Sequence, residues 1–126
     1  MTPRALAALA VAAAALALAA CGSSAAPPAG DVLACRHFVQ QGQKLKSEAT
    51  PSLTDLALAG GWVAEDAQLA VTPALKAAFT QDSSAISDLM GSLGDTAAQQ
   101  AAITKRGDNA SAKVKSICTR DGVKIP

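Results

Sequence analysis

The chain has 126 residues, half of them hydrophobic, with 11 Lys and Arg against 10 Asp and Glu, three cysteines and one histidine. That length holds one small domain. The near-zero net charge provides no basic face for nucleic acid or anionic lipid, and there is no acidic tail.

Residues 1–20 read as a processing signal. Arg4 is the only charge ahead of an unbroken Ala, Leu and Val run from Ala5 to Ala17. The run is shorter than the roughly 20 apolar residues that span a bilayer. It closes on Leu18-Ala19-Ala20-Cys21, followed by Gly22-Ser23-Ser24 rather than a basic flank. Charge, apolar run and quartet, in that order, resemble the leader and lipobox of bacterial lipoproteins. The resemblance implies a diacylglycerol thioether on Cys21, cleavage between Ala20 and Cys21, and a lipid anchor on the extracytoplasmic face of the cell membrane. Two acyl chains hold a protein there stably, whereas one does not. The competing reading is an ordinary secretory signal cut near Ala20, leaving Cys21 an unpaired thiol. The Ala-rich, Lys-poor style is also similar to small lipoproteins of high-GC Gram-positive bacteria, which carries over no site residue beyond Cys21.

Residues 22–30 are Gly, Ser, Ala and Pro alone. They lack the hydrophobicity to pack and read as a tether, with the folded domain at 31–126. Only Trp62, Phe38 and Phe79 are aromatic, so an Ala, Leu, Val and Ile core buries modest area per residue. Cys35 and Cys118 offer compensation, because an exported chain keeps disulfides. A bridge between them closes a loop worth about 4–5 kcal/mol in the chain-entropy model. Two buried free thiols are the alternative.

The periodicity is helical throughout. A first helix is expected after Asp31 and to about Glu48, with Cys35, Phe38, Val39, Gly42 and Leu45 on one face and Arg36, His37, Gln40, Gln41 and Lys44 opposite; Thr50-Pro51 ends the segment. Ser52 with Asp55 three residues on forms a near capping box for a second helix. Its stripe is expected to be Leu53, Leu56, Ala57 and Ala64, and Gly60-Gly61 either breaks it or resets its phase. Thr72 as N-cap and Pro73 at N1 start a third helix. Its stripe is Leu75, Phe79, Ile86, Leu89, Met90 and Leu93, with Gly94 as terminator. Asp95 is expected to cap a fourth helix reaching about Arg120, with Ile103, Ala110, Val114 and Ile117 inward and a possible interruption at Gly107-Asp108-Asn109. Short connections favour an antiparallel four-helix bundle. An even number of helices brings the first turns of helix one and the last turns of helix four to the same pole, so the expected Cys35–Cys118 disulfide and the helix count support each other.

No catalytic grouping is visible, and the chain does not read as an enzyme. His37 falls among Arg36, Gln40, Gln41 and Lys44 and reads as a solvated surface histidine, with no base-orienting partner marked. A structural zinc site needs four ligands and a calcium loop a spacing that Asp55, Glu65 and Asp66 do not have. Haem ligation by His37 and Met90 would need residues placed at opposite poles, so no cofactor is implied. The sequon Asn109-Ala110-Ser111 is coincidental in a bacterial setting.

Two features each leave a structural and a functional reading open. Asp82 interrupts the third-helix stripe; it either sits at the bundle edge or pairs with a cation, or it is the polar group of a ligand cavity. Trp62, beside Gly60-Gly61, is either a packed side chain at a bend or an interaction anchor. The expected function is a membrane-anchored binding or protein-interaction module of the cell envelope; the alternative is a carrier or sensor of a small apolar ligand held between helices.

Overall fold

The computed structural model describes residues 26–47 and 52–126. The leader, Cys21, most of the tether, Glu48 and Thr50-Pro51 lie outside the described residues. The described residues form four helices: α1 Ala29–Ser47, α2 Leu53–Leu69, α3 Pro73–Gly91 and α4 Ala97–Arg120. No described helix is long and apolar enough to cross a membrane. Sequential helices pack along their lengths, as short connections require. The first and last helices meet over a much shorter stretch. There Cys35 and Cys118 are bonded at 2.06 Å across 83 residues of sequence, and both are fully buried.

Helix boundaries follow local chemistry, with some corrections to the sequence expectations. Ser52 caps α2 through a complete capping box: the Asp55 N–H donates to Ser52 Oγ at 3.2 Å, and the Ser52 N–H donates to Asp55 Oδ2 at 2.8 Å. The fourth helix is capped by Thr96 with Gln99 at N3, not by Asp95. A hydroxyl paired with an amide three residues on satisfies two free donors at once, which a lone Asp one residue earlier does not. The third helix ends at Gly91 with Ser92 as C-cap, so Gly94 falls in the following turn.

The first helix begins at Ala29, inside the expected tether, because Asp31 and Val32 donate to the Pro28 carbonyl. Asp31 is buried and serves another element. Its Oδ1 accepts from the Val71 N–H at 2.6 Å and the Thr72 N–H at 3.1 Å, and its Oδ2 accepts from the Thr72 hydroxyl. Thr72 is the N-cap residue of α3, yet its side chain makes no cap bond within its own helix. Asp31 supplies the oxygen from α1 instead. Burial pushes the Asp31 carboxyl up, but the Thr72 hydroxyl, the two amides and the charge of Arg120 outweigh it and hold it below its ordinary value. Gly30 lets the backbones meet here: a Cβ on it would lie 2.4 Å from the Leu69 carbonyl oxygen.

Gly60-Gly61 does not break α2, which is continuous. The buried residues of this helix are Ala59, Val63 and Asp66, while Leu53 and Leu58 face solvent and Ala57 is exposed. Gly60 is used for close approach to α3. Its carbonyl accepts from Ser83 Oγ at 3.1 Å, and a Cβ would press Ile86 at 3.3 Å. Gly107 faces Ala85, where a Cβ would make ordinary contact at 3.4 Å, and α4 also runs unbroken. The core centres on Leu75, Phe79, Ala34, Val114 and the disulfide. Phe38 meets Phe79 edge to face at 5.7 Å. In α3, Leu75, Phe79 and Asp82 are buried, but Leu93 lies beyond the helix and is exposed.

After α4, Gly122 adopts φ 86°, a left-handed conformation that glycine takes without strain. The Val123 N–H bonds the Cys118 carbonyl and the Gly122 N–H bonds that of Thr119, a Schellman closure. The tail therefore doubles back, and Val123 is buried beside the disulfide.

Since α1 and α4 share so short a seam, replacing the bridge by the pair Cys35→Ser and Cys118→Ser is expected to lower unfolding free energy by about 4 kcal/mol or more. Urea unfolding of wild type and double variant, with and without reductant, checks it: reductant should shift only the wild type.

Candidate functional site

Below the disulfide, where α1 and α4 no longer touch closely, the bundle contains a cavity of about 340 Å³. That lies at the lower end of the range for small-molecule sites. Its walls are mostly apolar. From α1 come Phe38, Val39, Gly42 and Leu45, four of the five residues the helical spacing assigns to the inner face of that helix. The second helix contributes Ala59, Trp62 and Val63, and α3 contributes Ile86. The returning tail adds Ile125 and Pro126. Trp62 and Asp82, singled out separately in the sequence, both line it. Trp62 is partly buried and Asp82 is 7% exposed.

Polar side chains line the cavity from all four helices, among them Gln41, Asp66, Asp82 and Lys115. Asp66 on α2 is completely buried. His37 Nδ1 meets its Oδ1 at 2.5 Å. Gln41 Nε2 meets His37 Nε2 at 3.1 Å. In this arrangement Gln41 donates to Nε2, and Nδ1 carries the proton given to Asp66. His37 is thus no freely solvated surface side chain. The sequence reading treats α1 as having one inner stripe, but α1 lies against α2 as well, and Ala34, His37 and Gln41 at i, i+3, i+7 form a second row turned toward Asp66. The signal for Asp66 was the row Ala59, Val63, Asp66, Ala70 at helical spacing, in which the only charged member sits among small and branched apolar residues.

Among the described residues, two buried side-chain atoms are left without a partner: Asp66 Oδ2 and Gln41 Oε1. Both belong to residues that line the cavity. Both are acceptors. Asp82 on α3 makes no described hydrogen bond or ion pair; the nearby cation is Lys115 on α4, which is exposed. Burial raises the Asp66 carboxyl to about 6, against the pull of the His37 hydrogen bond and of its charge when protonated, with Glu65 adding to the rise. Burial likewise raises Asp82 to about 6, reinforced by Asp108 and opposed by Lys115.

The remaining candidates are dispersed. Both ring nitrogens of His37 are engaged, and Met90 lies in the last turn of α3. Asp55 is occupied with its cap, and Glu65 is exposed. Compared with known proteins, the chain matches no family model, no curated protein and no solved structure. The cavity's chemistry is therefore read from its geometry.

Removing His37 strands a buried carboxylate. His37→Ala is expected to destabilise by about 2–3 kcal/mol. Pairing it with Asp66→Leu should recover much of that loss, which a thermal-unfolding double-mutant cycle measures.

A second expectation concerns pH. A folded-state carboxyl raised above its unfolded value of 3.8 binds its proton more tightly when folded, so its contribution is full below pH 3.8 and is lost as pH rises to about 6. Asp82→Asn removes that loss and is expected to stabilise at pH 7 by up to about 3 kcal/mol, while leaving stability at pH 3.5 nearly unchanged. Urea midpoints across the interval from about pH 3.5 to 7 test the difference.

Proposed function

We propose that this protein is a lipid-anchored envelope protein whose helical bundle holds a small, largely apolar molecule. The observation that carries the reading is the 340 Å³ cavity itself, walled by Phe38, Trp62, Val63 and Ile86. The lipobox-like Leu18-Ala19-Ala20-Cys21 supports the anchoring half of the proposal, and a disulfide suits an oxidising compartment.

Binding is favoured over catalysis because the single imidazole has both nitrogens committed to Asp66 and Gln41. It is favoured over a protein-docking role for Trp62 because that side chain lines the cavity rather than standing out as an exposed anchor. The exposed Leu33, Leu69 and Val71 leave a protein partner as the second class of occupant for the surface, without defining one.

Trp62 is the chain's single tryptophan, so its fluorescence reports on the cavity. Titration with a medium-chain alcohol such as decanol should shift the emission saturably, and Val63→Trp, which fills the space, should abolish the response. Native mass spectrometry of the protein extracted gently from membranes should show a retained small molecule together with the diacylglycerol mass on Cys21. A bare, unacylated polypeptide that does not respond to decanol would refute both halves.

A further inference from the structure

With Cys21 taken as the lipid-bearing residue, as proposed above, we infer that the pole of the bundle where α1 begins rests on the bilayer, with Leu33, Leu69 and Val71 entering the lipid. All three side chains are exposed. Single exposed aliphatic residues are ordinary on a protein surface, whereas a group of them at one place marks a contact.

Their grouping follows from the contacts between α1 and α2. His37 on α1 meets Asp66 on α2 at 2.5 Å. Seven residues earlier on α1, a Cβ on Gly30 would lie 2.4 Å from the carbonyl oxygen of Leu69, three residues later on α2. The helices are therefore antiparallel, and both steps lead toward the same pole. Leu33 lies between Gly30 and His37, one turn from each, on the face of α1 that they share. Val71 reaches the same place, because the Cβ on Gly30 would also lie 2.9 Å from Val71 Cγ2. The surroundings carry little charge. No charged residue occurs from Ala67 to Leu75, and the only one from Gly22 to Cys35 is Asp31, which is buried under its bonds to Val71 and Thr72. Pro28 and Pro73 are exposed at this pole as well.

The tether decides what covers the face. The eight Cα steps from Cys21 to Ala29 span less than about 30 Å at full extension. A lipid on Cys21 thus keeps Ala29 near the bilayer, and with it the Val71 side chain beside Gly30. The exposed Leu53 and Leu93 lie at the start of α2 and just past the end of α3, at the other pole. That pole is roughly 28 Å farther along a 19-residue helix. Three aliphatic side chains bind a membrane weakly from solution, but attachment makes their contact intramolecular, at high effective concentration. A protein partner or a second copy of the chain has no such enforced proximity.

The acylated mature protein is reconstituted into phosphatidylcholine vesicles containing a phosphatidylcholine with a diazirine in its acyl chain, then irradiated, and the insertion sites are located by fragment masses. Labelling within residues 68–73 is expected to exceed that at Leu53 and Leu93, equally apolar and at the far pole, by about tenfold or more. Leu33→Gln with Val71→Gln should bring the labelling of 68–73 down to the far-pole level while the protein still floats with the vesicles. Should that variant fail to fold, the contrast between the two poles of the wild type decides alone. A wild-type protein that does not float with the vesicles lacks its anchor, which refutes the attachment and this inference with it. One that floats but is labelled no more at 68–73 than at the far pole keeps its anchor and overturns the inference. In that case a dimer in native mass spectrometry, dispersed by Val71→Gln, gives the face to a second copy, and a monomer leaves it to another protein.

Discussion

An antiparallel bundle made from one chain gets three of its four helix contacts through short connections, and the fourth, between first and last, has to be made by packing or by a covalent bond. Here packing is scarce. The chain carries three aromatic side chains and much alanine, and α1 and α4 meet over a short stretch. The Cys35–Cys118 bond closes that seam at one pole. Beside it, Val123 is held by the Schellman turn and Asp31 grips the start of α3. Every one of these devices sits at the same end. Away from that pole nothing equivalent draws α1 and α4 together, and the cavity occupies that space. The closure and the hollow are two consequences of one shortage of apolar bulk.

Three buried aspartates show how unevenly that core satisfies polar groups. Asp31 accepts from two amides and a hydroxyl, so its burial is compensated and its carboxyl falls below the ordinary value. Asp66 has one oxygen paired with His37 and one unpaired. Asp82 has no described partner at all. The order follows position. Compensation is complete at the stapled pole, where backbone amides at the start of α3 are free to donate. It is incomplete around the cavity, where the surrounding helices have already spent their amides on their own ladders. An unsatisfied buried acceptor costs about 1–3 kcal/mol, and such departures from local consistency gather where something other than folding is being served.

Much of this was legible in the residues. Helix count and disulfide constrained one another through parity, and the capping pair Ser52 and Asp55 together with Thr72-Pro73 marked two helix starts. Asp82 was conspicuous as the one carboxylate inside an apolar stripe. What the sequence hid was tertiary. The leucines of α2 suggested one phase, but its buried face is Ala59, Val63 and Asp66, because an Ala-rich helix packs close with its small side and turns larger groups outward. Gly60-Gly61 and Gly107 read as weak points by propensity, yet both helices run unbroken, and Gly60 sits at a close helix crossing where a methyl group would press Ile86. The pairing of His37 with Asp66 spans two helices and 29 residues. No spacing rule along either helix encodes it, since it depends on which neighbour the flank of α1 faces.

The position of the covalent clasp acquires a further sense under the proposed attachment at Cys21. A tether that ends at Pro28 delivers any pull from the membrane to Ala29, the start of α1. This helix is joined to α4 over the shortest seam in the bundle, so it is the element most readily peeled away. Two restraints intercept that peeling within the first two turns: Asp31 clamped to Thr72, then Cys35 bonded to α4. Residues beyond Cys35 on the same helix, Phe38, Val39, Gly42 and Leu45, form the cavity wall. A load entering at the amino end therefore reaches the covalent bond before it reaches the wall, and the volume of the site is insulated from the motion of its anchor.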